Sequence, residues 1–217
     1  SGIWYPDWGR LFGVPQAPPV LTPEAQAELD AFNERYAETG PPLTNVARCI
    51  PPGMPMIVGL GGMPLEILYS PGRVTILLEA YSQVRRIYMD GRPLPEDPEP
   101  FFNGTSVGHW EGDVLVIETV GLHPLNDFIR EGRVEHSEQL RVDERIYQPG
   151  PGELVVEMTM TDPAVLLEPY VITHYFKLDN SFPMREYVCE ENNRLISSED
   201  GANIDLGFDV LDEVEGE

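Results

Sequence analysis

The stretch TSVGHWEGDVLVIETV, residues 105 to 120, decides the fold. Two runs suited to a pleated surface flank Glu111-Gly112-Asp113, a turn in which Gly112 takes a positive φ and Asp113 bonds its own backbone. A link that short makes the two runs antiparallel neighbours. The same period-two alternation continues on both sides. It predicts strands over 65–69, 74–80, 84–89, 105–110, 114–120, 136–147, 153–161, 171–178 and 184–189. Asp90-Gly91 and Pro149-Gly150-Pro151-Gly152 supply further turns, and no helical spacing interrupts the series. Roughly eight or nine such strands in sequence predict an all-β fold, an antiparallel up-and-down barrel of lipocalin-like type, because closure removes exposed edges. A two-sheet sandwich is the alternative.

Upstream, residues 1–64 read as an irregular arm, broken by Pro6, Pro15, Pro18, Pro19, Pro41, Pro42, Pro51, Pro52, Pro55 and Pro64. One helix is expected within it. Thr22 offers the N-cap, Pro23 the first helical position and Glu24 an acidic first turn, and Gly40 stops the run. Trp4, Tyr5 and Trp8 are candidate anchors that hold the arm across the sheet or over one barrel end. The chain thus divides into an arm (1–64), a barrel (65–190) and an acidic extension (191–217).

Lys and Arg total 14 against 37 Asp and Glu, a net charge of −23. Such a field repels phosphate backbones and anionic lipid, so nucleic acid is not an expected partner. No run approaches the roughly 18 apolar residues of a membrane-spanning helix. Gly-x-Ser-x-Gly, His-Glu-x-x-His, Cys-x-x-Cys and a phosphate-binding loop before a helix are all missing.

Alternation also sorts ionisable residues by face. In the run 136–147, His136, Glu138 and Glu144 share a phase with Leu140, Val142 and Ile146. Asp162 continues the phase of Leu154, Val156, Met158 and Met160; Arg85 that of Ile87; His174 that of Ile172 and Phe176; and Glu118 that of Val114 and Val116. Charged groups on an apolar face need partners or a polar site. If these faces converge, they enclose an apolar pocket with a few polar groups. The catalytic candidates are His136 as base, Glu138 or Asp162 orienting it, and Arg85 stabilising negative charge. His109, Glu144, His174, Tyr81 and Trp110 are substrate-contact candidates. No cofactor is required; the rival use of the same groups is a zinc or iron sphere of His136 and Glu138 with His109 or His174. Cys49 and Cys189 fit either a bridge or two buried thiols.

Arg85 to Pro93 (RRIYMDGRP), Ser106 to Gly121 (SVGHWEGDVLVIETVG), His136 to Arg145 (HSEQLRVDER) and Thr161-Asp162-Pro163, in that order, resemble a large family of mostly uncharacterised bacterial proteins that are commonly exported. The match covers about two thirds of the chain. The resemblance implies a Cys49 to Cys189 pairing and a periplasmic or secreted location, with any signal peptide removed ahead of Ser1-Gly2. It stresses Arg85, His109, His136, Glu138 and Asp162 without giving them roles. Several members of the family carry a His after the last cysteine where this chain has Glu190, which counts against a metal there.

Three functions follow as expectations. The first is a cofactor-independent enzyme doing acid/base chemistry, as a lyase, isomerase, cyclase or dehydratase does, on a small hydrophobic or aromatic molecule. The second is a lipocalin-like carrier of such a molecule. The third is an assembly module, a homo-oligomer whose arm wraps a second subunit.

Overall fold

A computed structural model describes residues 2–11, 17–39, 45, 48–59, 62–126 and 134–189, with the backbone of 196–197 and 204–205. Most of the extension 191–217 lies outside the described residues. The strands are β1 (Gly2–Pro6), β2 (Leu65–Ser70), β3 (Arg73–Leu78), β4 (Gln83–Tyr88), β5 (Thr105–Glu111), β6 (Val114–Val120), β7 (Arg141–Tyr147), β8 (Glu153–Thr161) and β9 (Tyr170–Leu178). They form a closed barrel in sequence order, β9 pairing back onto β1. A two-stranded ribbon, β10 (Ile196–Ser197) and β11 (Ile204–Asp205), stands apart from that sheet.

Closure uses a strand that the proline count concealed. β1 comes from the arm and lies between β9 and β2, with Trp4 opposite Leu65 and Leu178. Trp4 is buried, so an arm residue fills the barrel as a core side chain. The short helices α1 (Trp8–Leu11) and α2 (Pro23–Thr39) follow. α2 starts where expected: Thr22 Oγ1 accepts from the Ala25 backbone N–H at 3.3 Å, one of the donors a helix start leaves unpaired.

Three expectations are corrected. The β4–β5 pair is parallel, with Ile87 opposite Ser106, because the link 89–104 is long enough to carry the chain back before β5 begins. Residues 136–140 form a turn rather than the start of β7, and 184–189 form no strand.

The register fixes which side chains point inward. Leu65, Ile67, Val74, Ile76 and Leu78 on β2 and β3, Leu115 and Ile117 on β6, Val142 and Ile146 on β7, and Leu154, Val156, Met158 and Met160 on β8 belong to one contiguous core. Turns at 71–72, 112–113 and 149–152 mark one end of the barrel. At the other, where β2, β4 and β7 begin, residues 51–59 lie across the mouth and bury Met54, Ile57 and Val58. Asn126 Nδ2 ties this cover down by donating to the Met54 carbonyl at 2.9 Å and the Phe102 carbonyl at 2.8 Å. Gly59, at φ 79°, lies so close to His174 that a Cβ there would sit 2.8 Å from Nδ1. The cover is fastened at its start by the Cys49–Cys189 disulfide, with Cα atoms 5.7 Å apart.

Candidate functional site

Inside the barrel four successive strands each turn one polar side chain inward at the same level: Arg85 on β4, Ser106 on β5, Thr119 on β6 and Glu144 on β7. Arg85 and Glu144 are each 1% exposed, Ser106 1% and Thr119 0%. Arg85 Nη1 donates to Glu144 Oε1 at 2.9 Å, and Nη2 donates to Oε2, so the pair is a bidentate fork spanning two intervening strands. Nη2 also donates to Thr119 Oγ1 at 2.8 Å and Ser106 Oγ at 3.2 Å, and the two hydroxyls lie 2.9 Å apart. The reason for so many contacts is electrostatic. Taking two ions out of water costs several kcal/mol each, which mutual attraction offsets only when geometry and further hydrogen bonds are good.

Arg85 and Glu144 of this belt form part of the wall of a cavity otherwise made of Val58, Leu65, Ile67, Ile76, Leu78, Ile146 and Val156. The space open to a water's centre is about 10 Å³, within about 290 Å³ of unfilled volume that includes solvent at the mouth. The smaller figure fits about one water molecule.

The other candidates are not at this cavity. His136 is buried in the turn before β7, its Nδ1 2.8 Å from the Ser137 carbonyl and its Nε2 3.0 Å from the His123 carbonyl. Both ring nitrogens therefore face backbone acceptors, which suits a tie between loops. Asp162 is fully buried and accepts from the Ser137 N–H and Oγ–H, both at 2.7 Å, and from the Ala164 N–H at 3.2 Å. It fastens the end of β8 to the 136–140 turn. Glu138, expected to face inward, is exposed, because the turn ends the alternation that placed it there. The catalytic set His136, Glu138, Asp162 and Arg85 is thus not brought together.

His109 and Trp110 lie near the outer rim of β5, both about half exposed. His109 Nε2 is 3.5 Å from Glu111 Oε1, and Arg145 Nη1 is 2.8 Å from Oε2. The hydrogen bond from Arg145, then that from His109, holds the Glu111 carboxyl below its usual range. Trp110 packs on Tyr69, ring centres 6.0 Å apart. His174 points inward on β9 beside Phe176, their rings 6.4 Å apart. Tyr81 sits in a 3₁₀ turn (Ala80–Ser82) between β3 and β4, at φ 55°, its ring 4.8 Å from that of Tyr187. Among the described residues no group of three His, Cys, Asp or Glu is placed to hold a metal, so the proposed His136, Glu138, His109 and His174 sphere is not assembled.

Phase reasoning missed Ser106 and Thr119. β6 reads VLVIETV, apolar on both faces, and the polar residue chosen as inward, Glu118, faces outward and pairs with Arg141 Nη2 at 2.7 Å. Thr119, in phase with the larger pair Leu115 and Ile117, was the available signal.

The fold and site define a closed β-barrel with an apolar interior and, among the described residues, one fully buried ion pair. No family model matches the chain, and no curated protein is similar enough to place it in a family.

Proposed function

We propose that the protein is a carrier that binds a small, largely apolar molecule in its barrel. The observation that carries this reading is the composition of the cavity wall, aliphatic throughout except for Arg85 and Glu144. Apolar walls with a few placed polar groups are the usual make-up of small-molecule sites, and the space open in this state fits about one water, so a ligand takes room that the 51–59 cover gives up. Entry requires the 51–59 cover to shift; it has no strand ladder and is held by its buried Met54, Ile57 and Val58, a few hydrogen bonds and one disulfide.

Turnover is the less supported reading. A proton-transfer enzyme needs a base within hydrogen-bond reach of its substrate, and His136 and Asp162 are engaged on backbone and side-chain partners away from the cavity. The disulfide fits an oxidising compartment, in line with the export that the sequence resemblance implies. No helix among the described residues is long and apolar enough to cross a membrane.

Titration of the protein with hexan-1-ol, followed by methyl NMR, tests the binding reading. Saturable shifts are expected at Val58, Ile76 and Val156, with surface methyls such as those of Val84 and Val171 unmoved. No shift at the cavity methyls for any apolar titrant refutes it.

A further inference from the structure

We infer that the outer face of β2, β3 and β4 docks helix α2 of a second copy of this chain. The inference is independent of what the barrel holds.

It starts from a helix longer than its seat. α2 is fixed to the barrel at its start, where the Thr22 hydroxyl donates to the Ala164 carbonyl at 3.2 Å, Ala25 is buried and Leu29 packs half-buried on the core. From Asp30 to Glu38 no residue is buried. Phe32 and Tyr36 nevertheless continue the stripe of Ala25 and Leu29 at helical spacing, with ring centres 6.3 Å apart, and Tyr36 is half exposed. A helix of this length owes most of its stability to the packing of such a stripe, so its outer half fits a partner surface.

Charge chooses among the surfaces that could cover it. α2 carries Glu24, Glu28, Asp30, Glu34 and Glu38 against Arg35, so a second α2 with the same excess would be repelled. The outer face of β2–β4 has the opposite character. Register sets Leu77 opposite Val84, and Thr75 opposite both Leu68 and Arg86, with Leu68, Val84 and Arg86 exposed. Arg73, two places before Thr75, is exposed on the same face, while Glu66, opposite Leu77, lies at the end away from it. In a chain with 37 acids to 14 bases, Arg10, Arg141, Arg145 and Lys177 each reach a carboxylate, whereas Arg73 and Arg86 form no ion pair among the described residues. Exposed aliphatic side chains beside two uncompensated guanidiniums match a helix whose apolar stripe is flanked by Glu28 and Asp30. Helix and face are different surfaces, so the contact is heterologous. Each pair leaves one helix and one face unused, and assembly continues beyond two.

Sedimentation equilibrium of the full chain at low salt tests this with two variants altered only at exposed residues. The helix variant carries Glu28→Gln and Tyr36→Ala; the face variant carries Arg73→Glu and Arg86→Glu. The native chain is expected to associate beyond the dimer, and each variant alone to do so at least about tenfold more weakly. An equal mixture of the two is expected to recover one contact, the intact helix of the face variant on the intact face of the helix variant, and to stop at a dimer. A native chain that stays monomeric up to millimolar concentration overturns the inference. So does a variant that associates as the native chain does, or a mixture that recovers nothing.

Discussion

Glu144→Leu is expected to destabilise the barrel by about 3–5 kcal/mol, and Arg85→Met by a similar amount, because each leaves a buried charge without its partner. The double variant Arg85→Met with Glu144→Leu is expected to regain most of that loss. Neither ion is then present to be desolvated, and volumes near the original keep the packing. Ser106 and Thr119 stay bonded to each other at 2.9 Å, so the belt's hydroxyls are not orphaned. Urea unfolding of the four proteins closes the cycle. Singles that lose less than about 1 kcal/mol, or a double no more stable than the worse single, would mean that the ion pair is not the closed unit described above.

The second large effect concerns the bridge. Cys49 and Cys189 are separated by 140 residues, and closing a loop of that length removes enough unfolded-state entropy to stabilise the fold by about 5 kcal/mol. The bridge also holds the 51–59 cover to the segment ending at Cys189. That segment packs on the rim through Tyr187 against Tyr81 and through the Arg185 N–H, which donates to Glu79 Oε2 at 2.7 Å. Reduction, or the double Cys49→Ser and Cys189→Ser variant, is therefore expected to lower the melting temperature by roughly 10–20 °C for a domain of this size. A shift of under about 2 °C would show that neither the loop closure nor the fastening contributes.

How far the sequence reveals the site varies from residue to residue. Barrel class was legible because turns such as Glu111-Gly112-Asp113 join runs with strict alternation, and closure follows from the edge problem. β1 was not, since its five residues are too few to show a period and their pairing depends on strands far along the chain. The inward positions of Arg85, Glu144 and Asp162 were legible from the aliphatic residues two positions away. Glu138 was misplaced because alternation holds only while the strand lasts, and here it begins at Arg141. The partner of Arg85 was not legible at all. Glu144 lies 59 residues on and three strands away, and only the parallel step between β4 and β5 sets their levels equal.

Those placements shift the weight from chemistry toward binding. Had His136 opened onto the cavity, the same imidazole and carboxylate inventory would have suited proton transfer. Instead it bridges the His123 and Ser137 carbonyls, and the polar groups at the cavity are an ion pair already closed on itself.

Native protein, purified without apolar additives and then denatured, releases whatever the barrel holds into a form that mass spectrometry reads directly. The carrier account predicts one small, largely apolar molecule, recovered bound and unchanged after rebinding to refolded protein. Recovery of a molecule that refolded protein converts into another would contradict it.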